Sequence, residues 1–189
     1  MKSCFAKLVY VGFVFAILAA CSKEQKVWIP GWQETSALST ARAGAAVVTH
    51  NGVIYMLGGV DGHDFLRTTE FARIQPDGTL TAWQAGTPLI EARGFVEAGV
   101  HDNWIYIAGG GNGPNGHNLL RSVERARIHA DGSLGPWIAE ANQMVVPRRC
   151  SKIIATEKGL YSFGGFGGAL LDTVEHALFS ADGSLGPWQ

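Results

Sequence analysis

The stretch Ala130-Asp-Gly-Ser-Leu-Gly-Pro-Trp137 recurs letter for letter as Ala181-Asp-Gly-Ser-Leu-Gly-Pro-Trp188, and a looser copy stands at Asp77-Gly-Thr-Leu-Thr-Ala-Trp83. An identity of this length marks an internal repeat, so the unit of repetition decides the fold. Trp32, Trp83, Trp137 and Trp188 are separated by 51, 54 and 51 residues. Each interval holds the same ordered signals. An arginine follows the tryptophan (Arg42, Arg93, Arg148), and sixteen residues later comes a Gly-Gly pair (Gly58-Gly59, Gly109-Gly110, Gly164-Gly165). A tyrosine lies three residues before each pair (Tyr55, Tyr106, Tyr161). A glutamate follows (Glu70, Glu124, Glu175), and seven residues after it comes Asp-Gly (Asp77, Asp131, Asp182).

The Arg-to-Gly-Gly and Glu-to-Asp-Gly distances are constant, whereas the count from Gly-Gly to Glu is 12, 15 and 11. Paired strands resist length changes because a one-residue slip turns every side chain to the other face. Loops absorb them. The variable segments Val60 to Leu66, Gly111 to Leu119 and Phe166 to Leu170 are therefore read as loops.

Each unit reads as four short strands. The first follows the arginine, as in Ala43 to Thr49. The second is an apolar run ending at the Gly pair: Val53 to Leu57, Trp104 to Ala108, Leu160 to Phe163. Runs this short and continuous suit strands buried on both faces. The third passes through the glutamate, as in Ser122 to Ile128. Asp-Gly then turns the chain, as in hairpins that need positive φ, and the fourth contains the tryptophan.

This unit resembles the kelch repeat, with its Gly-Gly doublet after an apolar strand and its spaced aromatic and tryptophan. The resemblance implies one four-stranded propeller blade per unit over Trp32 to Trp188. The expected fold is all-β: a partial kelch-like propeller of three four-stranded antiparallel blades, at about 33–83, 84–137 and 138–188, preceded by a signal helix. Propellers close with about four to eight blades. A three-blade arc leaves three readings: a piece of a longer propeller, two copies associating into a six-blade ring, or an open stack with other caps. Unpaired blade faces are sticky.

The N-terminus reads as a targeting segment. Lys2 and Lys7 precede Leu8 to Ala20, thirteen uncharged, mostly apolar residues, and then Leu18-Ala-Ala-Cys21. This resembles a bacterial lipoprotein signal with its lipobox, which implies cleavage after residue 20 and lipid on Cys21. Residues 21–31 then form a tether, and Ser22 after the cysteine implies the outer membrane. The chain from Cys21 carries 13 basic and 16 acidic residues, a net −3, which is no footprint for nucleic acid. With Cys4 removed and Cys21 lipidated, Cys150 stands alone and no intrachain disulfide is expected. It is expected to be a buried small hydrophobe.

The recurrence of Arg42, Arg93 and Arg148 together with Glu70, Glu124 and Glu175 points to structural ion pairs, since a buried charge needs a partner. Trp83, Trp137 and Trp188 are expected to fill wedges between blades. Trp104 lies outside the repeated set and is a candidate for interaction. His50 and His101 fall at equivalent places, expected at hairpin turns. His63, Asp64, Asn115, His117 and Asn118 in the variable loops form the candidate ligand rim. His63, Asp64, His117 and Asn118 with Asp61 are also the nearest approach to a metal cluster, but no HxH, HExxH or CxxC spacing occurs, and neither metal nor cofactor is expected. Gly109-Gly-Gly-Asn-Gly113 follows a strand without the helix a phosphate cradle requires, and no G-x-S-x-G elbow is present. No catalytic residue is assigned. The expected function is an envelope-anchored scaffold binding a protein or glycan on its loops. The alternatives are a sugar-modifying enzyme resembling sialic acid mutarotases, or a fragment of a longer propeller.

Overall fold

The computed structural model describes residues 31–189. The signal segment, Cys21 and nearly all of the tether lie outside the described residues. Residues 31–34 fall in a unit separate from Thr35–Gln189, and Trp32 is 77% exposed. The unit Thr35–Gln189 carries every strand among the described residues.

The first sheet contains β1 (Ala46–His50), β2 (Val53–Leu57), β3 (Thr69–Arg73) and β4 (Gln84–Ala85), in that order and all antiparallel. The second contains β5 (Glu97–His101) and β6 (Trp104–Ala108). After a small hairpin of β7 (Gly111–Asn112) and β8 (Asn118–Leu119) it adds β9 (Val123–Ile128) and β10 (Leu134–Ala139), giving the order β10-β9-β6-β5. The third sheet contains β11 (Lys152–Ala155), β12 (Gly159–Phe163) and β13 (Val174–Leu178). Here the fourth position is a single rung: Gln189 and His176 exchange backbone bonds of 3.0 and 2.9 Å. The three sheets keep one register, because Phe71↔Gln84, Arg125↔Ile138 and His176–Gln189 are equivalent pairs. Trp137 lies within β10, but Trp83 directly precedes β4 and Trp188 lies in no strand. Four full strands are thus realised in two units and three in the last.

Strand alternation builds two cores. On β6, Ile105 and Ile107 point to the first sheet and join Val53, Tyr55, Leu57 and Trp137. The intervening Tyr106 and Ala108 point to the third sheet and join Met144, Leu160 and Trp188. Each fully buried large apolar side chain contributes about 1.5–3 kcal/mol. The central sheet alone has both faces covered, so the expectation of burial on both faces holds for β6 and not for β2 or β12, where Ile54, Met56, Tyr161 and Phe163 are partly exposed.

The Asp-Gly turns differ from the expected two-residue form. Gly78, Gly132 and Gly183 take φ of 83°, 80° and 79°, while the preceding aspartates do not take positive φ. Each glycine N–H donates 2.9 Å to the carbonyl three residues back: Gln75, His129 or Ser180. This is a type I turn closed by a left-handed glycine. Asp131 Oδ1 accepts from the Ser133 N–H at 3.0 Å and from its hydroxyl at 2.7 Å. Asp77 and Asp182 do the same with Thr79 and Ser184. His50 and His101 end β1 and β5 at the tight hairpins Asn51-Gly52 and Asp102-Asn103.

Candidate functional site

An ion-pair frame inside each unit fixes where the rim loops emerge. Arg93 Nη1 donates to the carbonyls of Gly109 (2.8 Å) and Ser122 (3.1 Å), and its Nη2 donates to Glu124 Oε1 at 2.7 Å. Arg42 makes the equivalent bonds to Gly58, Thr68 and Glu70, the last at 2.5 Å. Arg148 makes them to Gly164, Thr173 and Glu175. The constant sixteen-residue spacing is therefore the reach from a guanidinium to the carbonyl of the first glycine of the pair. The carboxylates also accept from the backbone three residues before each arginine: Ser39, Ile90 and Val145 at 2.9, 2.8 and 2.7 Å. Buried charges are held here by both a counter-charge and hydrogen bonds; within the frame only Arg93 Nε lacks an acceptor among the described residues.

The Gly-Gly pairs join neighbouring units. Gly59 and Gly110 donate 2.8 Å to the carbonyls of Arg93 and Arg148 of the following unit. A Cβ on Gly58 or Gly109 would stand 2.5 or 2.6 Å from those same carbonyls, so only glycine fits. The tyrosines join them again: Tyr55 and Tyr106 donate to Gly132 O (3.0 Å) and Gly183 O (2.7 Å) in the next Asp-Gly turn.

From this frame the loops after the Gly pairs rise to one rim. In the first loop Asp61 Oδ1 accepts from the N–H groups of His63 and Asp64, both at 2.9 Å. The Asp64 bond, then that of His63, holds the Asp61 carboxyl below its ordinary range. In the second, the β7–β8 hairpin turns at Pro114–Gly116, with Asn115 at φ 55°. Arg149 Nη1 braces that turn by donating to Gly116 O at 2.8 Å. Between the two loops lies an open cleft of about 690 Å³. Its apolar wall includes Phe65 and Phe95, an edge-to-face pair with centroids 6.0 Å apart. The polar wall includes His63, Asp64, Asn112 and Asn115. The Arg149 guanidinium lies over both Phe95 (5.6 Å) and Phe166 of the third unit (5.3 Å).

Of the five rim residues read from sequence, His63, Asp64 and Asn115 line this cleft. His117 and Asn118 are exposed outside the lining, and the Asn118 amide donates to Asn112 Oδ1. Sequence reading missed Phe65, Phe95, Asn112 and Arg149. A signal existed: two residues after the repeated arginines stand Gly44, Phe95 and Cys150, all at positive φ (60°, 52°, 56°). An aromatic at a left-handed position departs from its unit. The same position corrects the expectation for Cys150, which is exposed. The left-handed backbone carries it out of the strand, and its N–H bonds Phe95 O at 2.7 Å. Trp104 is likewise an interface residue, packed under Gly183 with the Arg125 and Arg127 guanidinium groups 4.7 and 5.3 Å from its ring. No group of three or more His, Cys, Asp or Glu placed to hold a metal ion occurs among the described residues.

Chemically, the cleft offers two aromatic rings, a carboxylate, two amides and an imidazole within one concavity. That set suits a ligand with an apolar face and several hydrogen-bonding groups.

A Kelch motif model matches residues 41–70, the span from just before Arg42 to Glu70. The chain is similar to beta-scruin of Limulus polyphemus, at 29% identity over 162 residues, covering 80% of this chain and 17% of the relative. It is similar to the Kelch repeat protein M-T8 of Myxoma virus (strain Lausanne), at 30% over 146 residues, covering 71% and 24%. Among solved structures it resembles the one titled "Structure of YjhT", with TM-score 0.61 and 18% identity, covering 81% of this chain and 47% of that one. The chain thus spans less than a quarter of the curated relatives it matches and under half of that solved chain.

Proposed function

We propose that this kelch-repeat protein is a non-catalytic scaffold that binds a protein loop or a glycan in the rim cleft, held to a bacterial outer membrane by lipid on Cys21. The observation that carries the binding reading is the cleft itself: Phe65 and Phe95 beside His63, Asp64, Asn112 and Asn115. Mobile, variable loops on a rigid frame are where repeat folds place recognition. The kelch-repeat relatives support the scaffold class.

The test uses the full chain against an immobilised glycan panel and a displayed-peptide library. Asp64→Asn and Asn115→Ala serve as cleft variants. Both positions are exposed, so neither change disturbs the core. A selected ligand should lose roughly tenfold or more in affinity with Asp64→Asn, the scale of one charge-assisted hydrogen bond. Ligands bound equally by wild type and both variants would place recognition elsewhere.

The anchoring reading rests on Leu18-Ala-Ala-Cys21. Labelled palmitate fed to bacteria expressing the full chain should be incorporated, and Cys21→Ala should abolish the label. Label retained in that variant would sink the lipid anchor.

A further inference from the structure

The tyrosine and second-glycine contacts that join neighbouring units each have a donor side and an acceptor side, and the two outer units each keep one of these sides unused. At the inner junctions Tyr55 and Tyr106 donate to Gly132 O and Gly183 O. Gly59 and Gly110 donate to Arg93 O and Arg148 O. In the third unit the equivalent donors are the Tyr161 hydroxyl and the Gly165 N–H, and neither meets an acceptor among the described residues. In the first unit the equivalent acceptors are Gly78 O and Arg42 O, and neither receives a donor there. A Cβ on Gly78 would meet nothing within 4 Å, whereas Gly132 and Gly183 lie under Val53 and Trp104.

The apolar surface divides the same way. The register puts Ile154, Tyr161, Phe163, Val174 and Leu178 on the outward face of the third sheet. Ile154, Val174 and Leu178 are 52%, 51% and 50% exposed. The outward face of the first sheet carries Val47, Ile54 and Met56, with Val47 51% exposed. The two surfaces are the two halves of the junction already built twice inside the chain.

We propose that the outward face of the third sheet receives the outward face of the first sheet of a second copy of this chain, head to tail, and that two such contacts close a six-blade ring. The ends are complementary rather than alike, so the contact is heterologous and closes only by returning to the first copy. Six blades fall within the range of closed propellers. The rim cleft lies between the first and second units and is untouched by the contact.

The test is the protein mass of the full chain in a non-ionic detergent, by light scattering with the detergent contribution separated. The expected mass is twice that of one chain, which is 20.2 kDa for the sequence before any cleavage after residue 20. Val174→Asp and Val47→Asp, both at exposed positions, should each reduce it to one chain while leaving the far-ultraviolet spectrum unchanged. An equimolar mixture of the two variants retains one sound pair of faces and should return to the doubled mass. A wild-type mass of one chain would overturn the proposal. So would a doubled mass indifferent to both variants, which would assign association to the apolar N-terminal stretch, or a mixture that stays at one chain.

Discussion

Tyr106 and Tyr161 hold the same place in consecutive units and live in different surroundings. Tyr106 is fully buried, donates to Gly183 O at 2.7 Å and packs against Phe179. Tyr161 is partly exposed, stacks on His176 and donates to nothing among the described residues. The local backbone is the same, with each tyrosine at the middle of its strand. The difference separates two kinds of stabilisation. The Arg–Glu frame is complete within each unit and is present in all three. The Tyr and Gly-Gly contacts exist only where a neighbour follows.

The sharpest way to break that distinction is through the frame. Arg93→Ala and Arg148→Ala leave Glu124 and Glu175 buried without their counter-charge. Each should cost about 3–5 kcal/mol, a large part of the 5–15 kcal/mol typical of a domain. Chemical denaturation should find the two costs similar, because each guanidinium is fully buried against its own unit's glutamate. A far smaller cost at Arg148 would mean that the frame depends on neighbours after all.

Glycine substitutions sharpen the same contrast. Gly109→Ala and Gly164→Ala both force a side chain to positive φ (67° and 56°), costing about 1–2 kcal/mol each. Only at Gly109 does the Cβ also press on a neighbouring unit's carbonyl, at 2.6 Å; at Gly164 it meets Leu171 O at 3.1 Å. Overpacking adds about 1–3 kcal/mol, so Gly109→Ala should be the more destabilising by that margin. Equal midpoint shifts would show that the inter-unit contact yields freely.

What repeats within a unit was legible in the sequence, and what depends on several units together was not. The constant sixteen residues from Arg to Gly-Gly encode one hydrogen bond, so counting them located the frame and the strand boundaries. β2 and β6 fall where the apolar runs place them. The rim cleft was legible only in part: His63, Asp64 and Asn115 stand in the loops of variable length, whereas its aromatic wall, Phe65 and Phe95, and the bracing Arg149 come from three different units and share no period. Cys150 was misplaced because strand alternation cannot report a left-handed residue. Trp104 was set apart because it has no tryptophan counterpart in the other units, and its partners, Arg125 on the paired strand of its own unit and Gly183 in the next unit's turn, follow no shared spacing.

Removing the tyrosine hydroxyls tests the neighbour-dependent contact with less disturbance. Tyr106→Phe leaves Gly183 O without its buried donor and should cost about 1 kcal/mol, the scale of one hydrogen bond. Tyr161→Phe should cost near zero for a single chain, and a larger cost that appears only at high protein concentration would report the self-contact. Burial, foremost, raises the Tyr106 and Tyr55 hydroxyls above the ordinary 10.0. A group raised in the folded state contributes stability below its unfolded value and loses it as pH climbs through the folded one. An ultraviolet titration should find both ionising late, and should lose the Tyr106 step in Tyr106→Phe.

The smallest effect belongs to the Asp-Gly turns, which are built alike whether or not a neighbour covers them. The hydroxyl and N–H of Thr79, Ser133 and Ser184 hold Asp77, Asp131 and Asp182 below the ordinary 3.8. A carboxyl depressed in the folded state contributes stability above its unfolded pKa and loses it as pH falls through the folded value. Unfolding midpoints should therefore drop from roughly pH 5 downward, and Asp77→Asn and Asp131→Asn should each flatten that slope to the same degree. The Asp77 turn has no neighbour against Gly78, whereas the Asp131 turn sits beneath Val53. Equal flattening would mean that acid acts on the turn alone. A larger effect at Asp131 would mean that the turn's charge is felt across the junction, and the division between unit and interface would have to be redrawn there.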